Sequence, residues 1–354
     1  MLSQLPEQKI YELVEKLSKL KDINPEHINK FDLYKPTPLA RYFHLSMANI
    51  RKFEGGNGAS KTYTATADDC VYLLGRPPES MKHIWCRPIP KKPVMWRVNG
   101  INDDAISAYL WPAFEDMLPP GFIVNRNKEK KILYVKSIWS ENESSMIQFK
   151  TYEMEVEAHS GATLDGIRFD EQPSIIEYYL ESIKRLRMAK PFHMTFSMTA
   201  EKGKTWAYDE LDEKARRKIF SVANPDVRRV PPDAISDEFT RDRHIEIQDF
   251  PINDEQDPTI ETINATIYDN PYVSDEFIAK MYNSFKDYPE KLQINILGKT
   301  VSLYGLVIPE YRREKHLIQE ETVLDPNLPR FVAIDDHTDF FAYTMTCIAP
   351  PKSS

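Results

Sequence analysis

Gly55, Gly56, Asn57, Gly58, Ala59, Ser60, Lys61 and Thr62 stand in a row between a predicted strand at 52–54 and a predicted helix. In that context small residues let consecutive backbone N–H groups close round the β- and γ-phosphates of a nucleotide. The start of the helix adds its positive end, and Lys61 brings a mobile charge. The Thr62 hydroxyl would lie on Mg²⁺. Ser60 stands where such a loop has glycine; serine is the smallest polar replacement and is expected to take helical dihedrals. Taken alone, the stretch would equally suit a Gly-rich turn that holds no ligand.

A second stretch supplies the acids. Asp170 and Glu171 close a predicted strand at 166–169, at a separation that suits the sheet neighbour of the phosphate loop's strand. At such a strand end an Asp holds the water shell of Mg²⁺, and the adjacent Glu polarises the attacking water as a general base. Arg168 is an odd residue for a buried central strand, and implies that one face of the strand is open or paired. Further on, Thr195, Phe196, Ser197, Met198 and Thr199 make a hydroxyl-rich strand end, where Ser197 is placed to hydrogen-bond beside a γ-phosphate and sense its hydrolysis. A surface Asp-Glu pair and an ordinary strand end are the alternatives to these readings.

Positioning these groups requires a sheet. Apolar runs predict strands at 52–54, 83–86, 166–169 and 192–197 and a hairpin near 131–134 and 145–151, with helical patterns at 105–117 and 175–188. Strands interleaved with helices imply a mainly parallel sheet covered on both faces, an α/β nucleotide-binding layout. Ile10, Leu13, Val14, Leu17 and Leu20 recur at helical spacing ahead of it. Beyond Thr205 a charged helix is expected at 208–219, then a Pro-rich acidic stretch at 224–258, a helix at 274–285, turns to 311 and a hinge at 326–329. Two strands at 331–334 and 340–348 end the chain; alone they are marginally stable, so they read as the start of a further domain. The expected division is an ATPase-type domain at 1–225, a lid or linker at 226–325 and the opening of a third domain at 326–354.

Composition sets the outer limits. The chain has 354 residues, 41% hydrophobic and 28% charged, with 11 Gly and 26 Pro, as a globular chain of two domains has. No apolar run approaches the roughly 18 residues of a membrane span, and the N-terminal residues lack a signal-peptide pattern. Cys70, Cys86 and Cys347 have neither C-x-x-C nor zinc spacing and are expected to be buried thiols. A net charge of −8 means that any contact with a nucleic-acid backbone must come from local basic surface. Lys184, Arg185 and Arg187, and Lys214, Arg216, Arg217 and Lys218, are such clusters, and solvated helix faces are the alternative reading.

The order of motifs resembles that of the large subunits of tailed-phage terminases. The matching residues are Gly55 to Thr62; Phe149-Lys150-Thr151-Tyr152-Glu153; Gly161; Asp170-Glu171-Gln172-Pro173; Thr195-Phe196-Ser197; Gly203-Lys204-Thr205-Trp206; and Tyr268-Asp269-Asn270-Pro271, with Gly298 and Gly305 beyond. The resemblance implies a P-loop NTPase fold with a lid and the first strands of an RNase H-like nuclease. It implies an ATP-hydrolysing motor that moves double-stranded DNA into a procapsid, with ATP and Mg²⁺ as cofactors. Lys61 and Thr62 would hold ATP and Mg²⁺, Asp170 would bind Mg²⁺, Glu171 would be the catalytic base and Ser197 would couple. Adenine would be read by the segment 38–44, where Arg41 stands in for the usual glutamine. Asp335 falls at a metal-ligand position of the nuclease's first strand, but its partner carboxylates are absent, so the chain as written is expected not to cut DNA. Implied partners are the portal protein, a small terminase subunit and further copies in a ring, in the host cytoplasm and at the procapsid portal, with no membrane. Another P-loop translocase or helicase, and a non-catalytic terminase remnant, are the alternatives.

Overall fold

The structure, a computed structural model, describes residues 28–223, 244–251 and 256–301, and the backbone of two further strands at 330–336 and 341–347. The expected helix at 10–20 and hinge at 326–329 lie outside the described residues. In chain order the main elements are α1 (Pro38–Leu45), β1 (Ile50–Gly55), α2 (Lys61–Leu74), β2 (Met95–Gly100) and α3 (Trp111–Met117). There follow β3 (Ile123–Asn127), β4 (Ile132–Ser137), β5 (Ser140–Thr151), β6 (Gly166–Asp170), α4 (Glu177–Arg185) and β7 (His193–Met198). The sheet is completed by β8 (Ala215–Ser221), β9 (Ile245–Asp249) and β10 (Asp257–Ala265), after which come α5 (Asp275–Phe285) and α6 (Pro289–Asn295).

The ten strands form one sheet in the order β3-β4-β5-β2-β6-β7-β1-β10-β8-β9. From β5 through β8 every neighbouring pair is parallel, and β3, β4 and β9 add antiparallel edges. The strand bearing Asp170 is therefore not the direct neighbour of β1: β7 lies between them, pairing with β6 on one side and β1 on the other. This puts the end of β7 between the phosphate loop and the acidic pair.

Side chains alternate across the sheet. On β6, Ile167 and Phe169 join Phe196, Tyr179 and Leu211 in one apolar cluster, whereas Arg168 and Asp170 point to the face covered by α2. On that face α2 and α3 pack Tyr72, Leu73 and Phe114 with Trp96, Val98 and Phe149. The strands carry charge into the interior. Arg51 on β1 is wholly buried and donates to both oxygens of Asp68 on α2, at 3.0 and 2.7 Å. Lys52 is buried between Glu54 and Asp212, at 2.9 and 2.5 Å.

Those charges explain where the sequence reading fails. β2 was not expected, because Arg97 and Asn99 interrupt its apolar run; both are fully buried, and Arg97 donates to Gln148 and to the His159 carbonyl. The strand expected at 83–86 is instead a turn, in which Ile84 and Trp85 bond back to the Met81 carbonyl and pack on the core. The helix expected at 208–219 ends after a π-helical turn at Tyr208–Glu213, and its basic half is strand β8. There Arg217 pairs with Asp249 of β9, at 2.6 Å, and Lys218 lies over the Phe250 ring. β9, β10 and α6 fall in stretches read as connections. The expected boundary at 225 thus lies between strands that share the sheet, and the chain divides into compact units after Tyr304. Cys70 is buried as expected, but Cys86 is exposed.

The second unit contains β11 (Arg330–Asp336) and β12 (Phe341–Cys347), an antiparallel pair in which Asp335 faces Ala342 in register. No helix among the described residues is long and apolar enough to cross a membrane.

Removing one member of a buried ion pair strands the other. Asp68→Ala should cost about 3–5 kcal/mol of stability, read by urea denaturation, and replacing Arg51 and Asp68 together with Met and Leu should recover more than half of the loss.

Candidate active site

β1 delivers the loop and α2 receives it. Gly56 must be glycine: a Cβ there would lie 2.5 Å from the Asn295 carbonyl oxygen at the end of α6. Gly58 has φ +81°, in the left-handed region that favours glycine. The loop is pinned from behind on several sides. Gly56 N–H donates to the Ala265 carbonyl at 3.2 Å, Asn57 N–H to the Asn295 carbonyl at 2.7 Å, and the Asn57 and Asn295 side chains bond at 2.9 Å. Asn270 donates to the Gly58 carbonyl at 2.6 Å. The Tyr268-Asp269-Asn270-Pro271 stretch therefore backs the loop directly.

Ser60 does not take the helical dihedrals expected of it. It caps α2 with φ 64° and ψ 19°, in the left-handed region, and makes no side-chain capping bond. The first N–H groups of α2 are thus left uncapped by any side chain, and an unblocked helix start is a site that favours anions. Lys61 is half-buried and its Nζ donates to the carbonyls of Gly55 and Gly56, both at 3.1 Å. Burial pulls its pKa down, and the carboxylates of Glu171 and Asp170 oppose that.

Opposite the loop stand the acids. Residues 57–62, Tyr63, Tyr109, Asp170, Glu171 and Thr199 line one cleft of about 360 Å³. Asp170 is 3% exposed, and its Oδ1 accepts from Ser197 Oγ at 2.7 Å and from Arg168. Glu171 also has a left-handed backbone, φ 63°, held by its N–H on the Ser197 carbonyl at 2.8 Å and by the Tyr152 hydroxyl on its own carbonyl at 2.8 Å. Strain of this kind persists only where the surroundings impose it, and it clusters at functional sites. Thr199 grips the carboxylate from both oxygens, N–H to Oε2 at 2.8 Å and hydroxyl to Oε1 at 3.1 Å. Burial pushes the Glu171 pKa up to about 7, against the opposing pull of Lys61 and the Thr199 bonds.

The structure brings residues 57–62 together with Asp170 and Glu171, while Gly55 and Gly56, outside the cleft lining, offer their carbonyls to the Lys61 ammonium. Two other residues expected at the nucleotide, Ser197 and Arg41, do not line the cleft. Ser197 is buried behind Asp170 and bonds to it, so the hydroxyl facing the cleft is that of Thr199, two residues further along and once more on the same side. Arg41 is buried on α1 and is not among the residues that line the cleft. Asp335, expected at a separate nuclease site, belongs to the second unit. Tyr109, Tyr152 and Thr199 were not singled out as site residues; Thr199 had a signal in the hydroxyl-rich strand end and Tyr152 in the Phe149–Glu153 motif.

No protein-family model and no curated protein matches the chain. Among solved structures, the large terminase of a thermophilic bacteriophage matches at 14% identity with a TM-score of 0.50, over 90% of this chain and 64% of that one. An ADP complex of the same terminase matches at 13% identity and TM-score 0.49, over 91% and 65%. The ATPase domain of the Thermus phage P74-26 large terminase matches at 16% identity and TM-score 0.49, over 77% and 96%. The chain thus spans just under two thirds of the length of the first of these terminases. The likeness at 0.50 shows the fold: a mostly parallel sheet flanked by helices, as in a P-loop ATPase.

Two outcomes are expected of the apo protein. Ser60→Gly, which removes a Cβ from a left-handed residue, should stabilise by about 1 kcal/mol in denaturant titration. Thr199→Val, which removes the hydroxyl donor but keeps the N–H, should move the Glu171 titration above 7 in carboxyl-resolved NMR.

Proposed function

We propose that this chain is the ATP-hydrolysing part of a phage large terminase, a motor that drives double-stranded DNA into a procapsid. The observation that carries the ATPase reading is the meeting in one cleft of an uncapped helix start, Lys61 and Thr62 with Asp170 and a Glu171 poised near neutrality. The triphosphate of ATP fits there: the uncapped start of α2 and Lys61 both belong to the cleft lining. Mg²⁺ would be held by the Thr62 hydroxyl and Asp170, and when bound it screens the phosphate charge.

Glu171 is gripped by Thr199 so that it can accept a proton from water. The water oxygen bonds to the γ-phosphorus, the bond to the β,γ-bridging oxygen breaks, and ADP and phosphate result. A base whose pKa lies near the working pH combines the required ionised form with adequate basicity. The fold shared with the large terminase of the thermophilic bacteriophage and the ordered motifs support the terminase reading. With it come the expected partners: double-stranded DNA, the portal protein, a small terminase subunit and further copies in a ring. The β11–β12 pair, with Asp335, is read as the opening of the RNase H-like part.

Steady-state hydrolysis of Mg·ATP, with and without double-stranded DNA, tests this. Glu171→Ala should lower kcat by about 10²–10⁴-fold with KM little changed. In the wild type, kcat/KM should fall as pH drops through about 7, because Glu171 then takes up a proton and can no longer accept one. Hydrolysis that Glu171→Ala leaves intact would exclude this site, and turnover indifferent to DNA would remove the motor from the reading.

A further inference from the structure

We infer that Arg168 is a positioning residue for Asp170: it fixes which carboxylate oxygen is offered to a divalent cation, and ties that choice to the helix of the phosphate loop. The inference rests on the nucleotide reading above and goes beyond it, since the side chain touches neither cleft nor nucleotide.

Arg168 is fully buried on β6 and shares a face with Asp170. Its guanidinium is a rigid fork of five donors, and the fork is spread over separate elements. Nε donates to Ser197 on β7 at 3.3 Å. One terminal nitrogen donates to Thr66 and Asp69 on α2, at 2.9 and 3.3 Å, and the other to Asp170 Oδ1 at 2.5 Å. Ser197 donates to the same Oδ1 at 2.7 Å. No hydrogen bond from a described residue reaches Oδ2 of Asp170, although Asp170 lines the cleft. One oxygen is thus committed to the interior and the other is left for a ligand. Partners behind a metal ligand orient it in this way, and their loss weakens metal binding.

The anchor on α2 gives the arrangement its meaning. Thr66 lies one helical turn beyond Thr62, and Asp69 less than one turn further. The groups that would hold Mg²⁺, Thr62 on the helix and Asp170 on the strand, are therefore braced to each other through one guanidinium. An apolar residue at 168 would leave Asp69 and Asp170 without their common counterion. A lysine would carry the charge but lacks the fork.

The test is Mn²⁺ affinity of the protein–ADP complex, read by electron paramagnetic resonance, beside ADP affinity without metal. The principal variant is R168M/D69N, which removes the buried pair together and keeps an acceptor for the Trp96 indole N–H that Asp69 binds at 2.9 Å. With the fold intact by circular dichroism, ADP affinity without metal should be unchanged and Mn²⁺ affinity about 10–100-fold weaker. Arg168→Lys should lie between this variant and the wild type, and it carries the test if the double variant does not fold. Wild-type Mn²⁺ affinity in the folded variant would overturn the role of Arg168 alone. A wild-type protein that binds no ADP would instead overturn the nucleotide reading, and this role with it.

Discussion

The pairing of the adjacent carboxylates Asp68 and Asp69 on α2 with Arg51 of β1 and Arg168 of β6 is the constraint on which the rest of this structure depends. All four side chains are fully buried. Burying such charges costs several kcal/mol per ion, and only close geometry with further hydrogen bonds offsets it. The geometry is supplied on both sides. Asp68 also accepts from His44, whose other nitrogen meets the Tyr34 hydroxyl at 2.7 Å. Burial would raise the Asp68 pKa, but Arg51 and His44 overcome it and hold the carboxyl below its usual range. Asp69, with Arg168 and Trp96 as partners, is instead pushed up by burial to about 7. α2 is the helix that receives the 55–62 loop, and its placement over the sheet is decided by these ions as much as by apolar packing.

The same economy of contacts governs the cleft. Its loop is backed by β10, α6 and the Asn270 turn, all from a segment more than two hundred residues away in sequence, so loop shape is a property of the whole sheet. Its residues Ser60 and Glu171 both sit in left-handed backbone, a conformation that side chains other than glycine adopt only at a cost. On the Glu171 side, bonds from Ser197, Tyr152 and Thr199 hold that conformation in place. Rigidity around Glu171 lets its environment, rather than solvent, set its proton affinity.

What was legible in the sequence was whatever depends on short spacing. The loop of 55–62 and the acidic pair 170–171 were visible as patterns of residue types at fixed offsets, and the structure brings 57–62, Asp170 and Glu171 to one cleft; the hairpin of β4 and β5 was visible from its apolar runs. Arg168 showed itself as a charge on a strand face that had to be open or paired, and the structure pairs it. Partners were not legible: nothing local says that Arg168 meets Asp69, that Asn270 meets Gly58, or that Ser197 turns to Asp170 while Thr199 takes the cleft. β2 and β10 were missed for the same reason. A strand containing Arg97, or one built as Asp257-Pro258-Thr259-Ile260-Glu261, looks exposed until the distant residues that satisfy it are known.

Consecutive residues of a helix point about 100° apart, so Asp68 and Asp69 aim at different strands from a single turn of α2. Each ion pair alone would allow the helix to roll about its axis with the other side chain following; together they forbid it. α2 therefore has one rotational setting on the sheet, and Thr62 at its start inherits that setting from strands it does not touch.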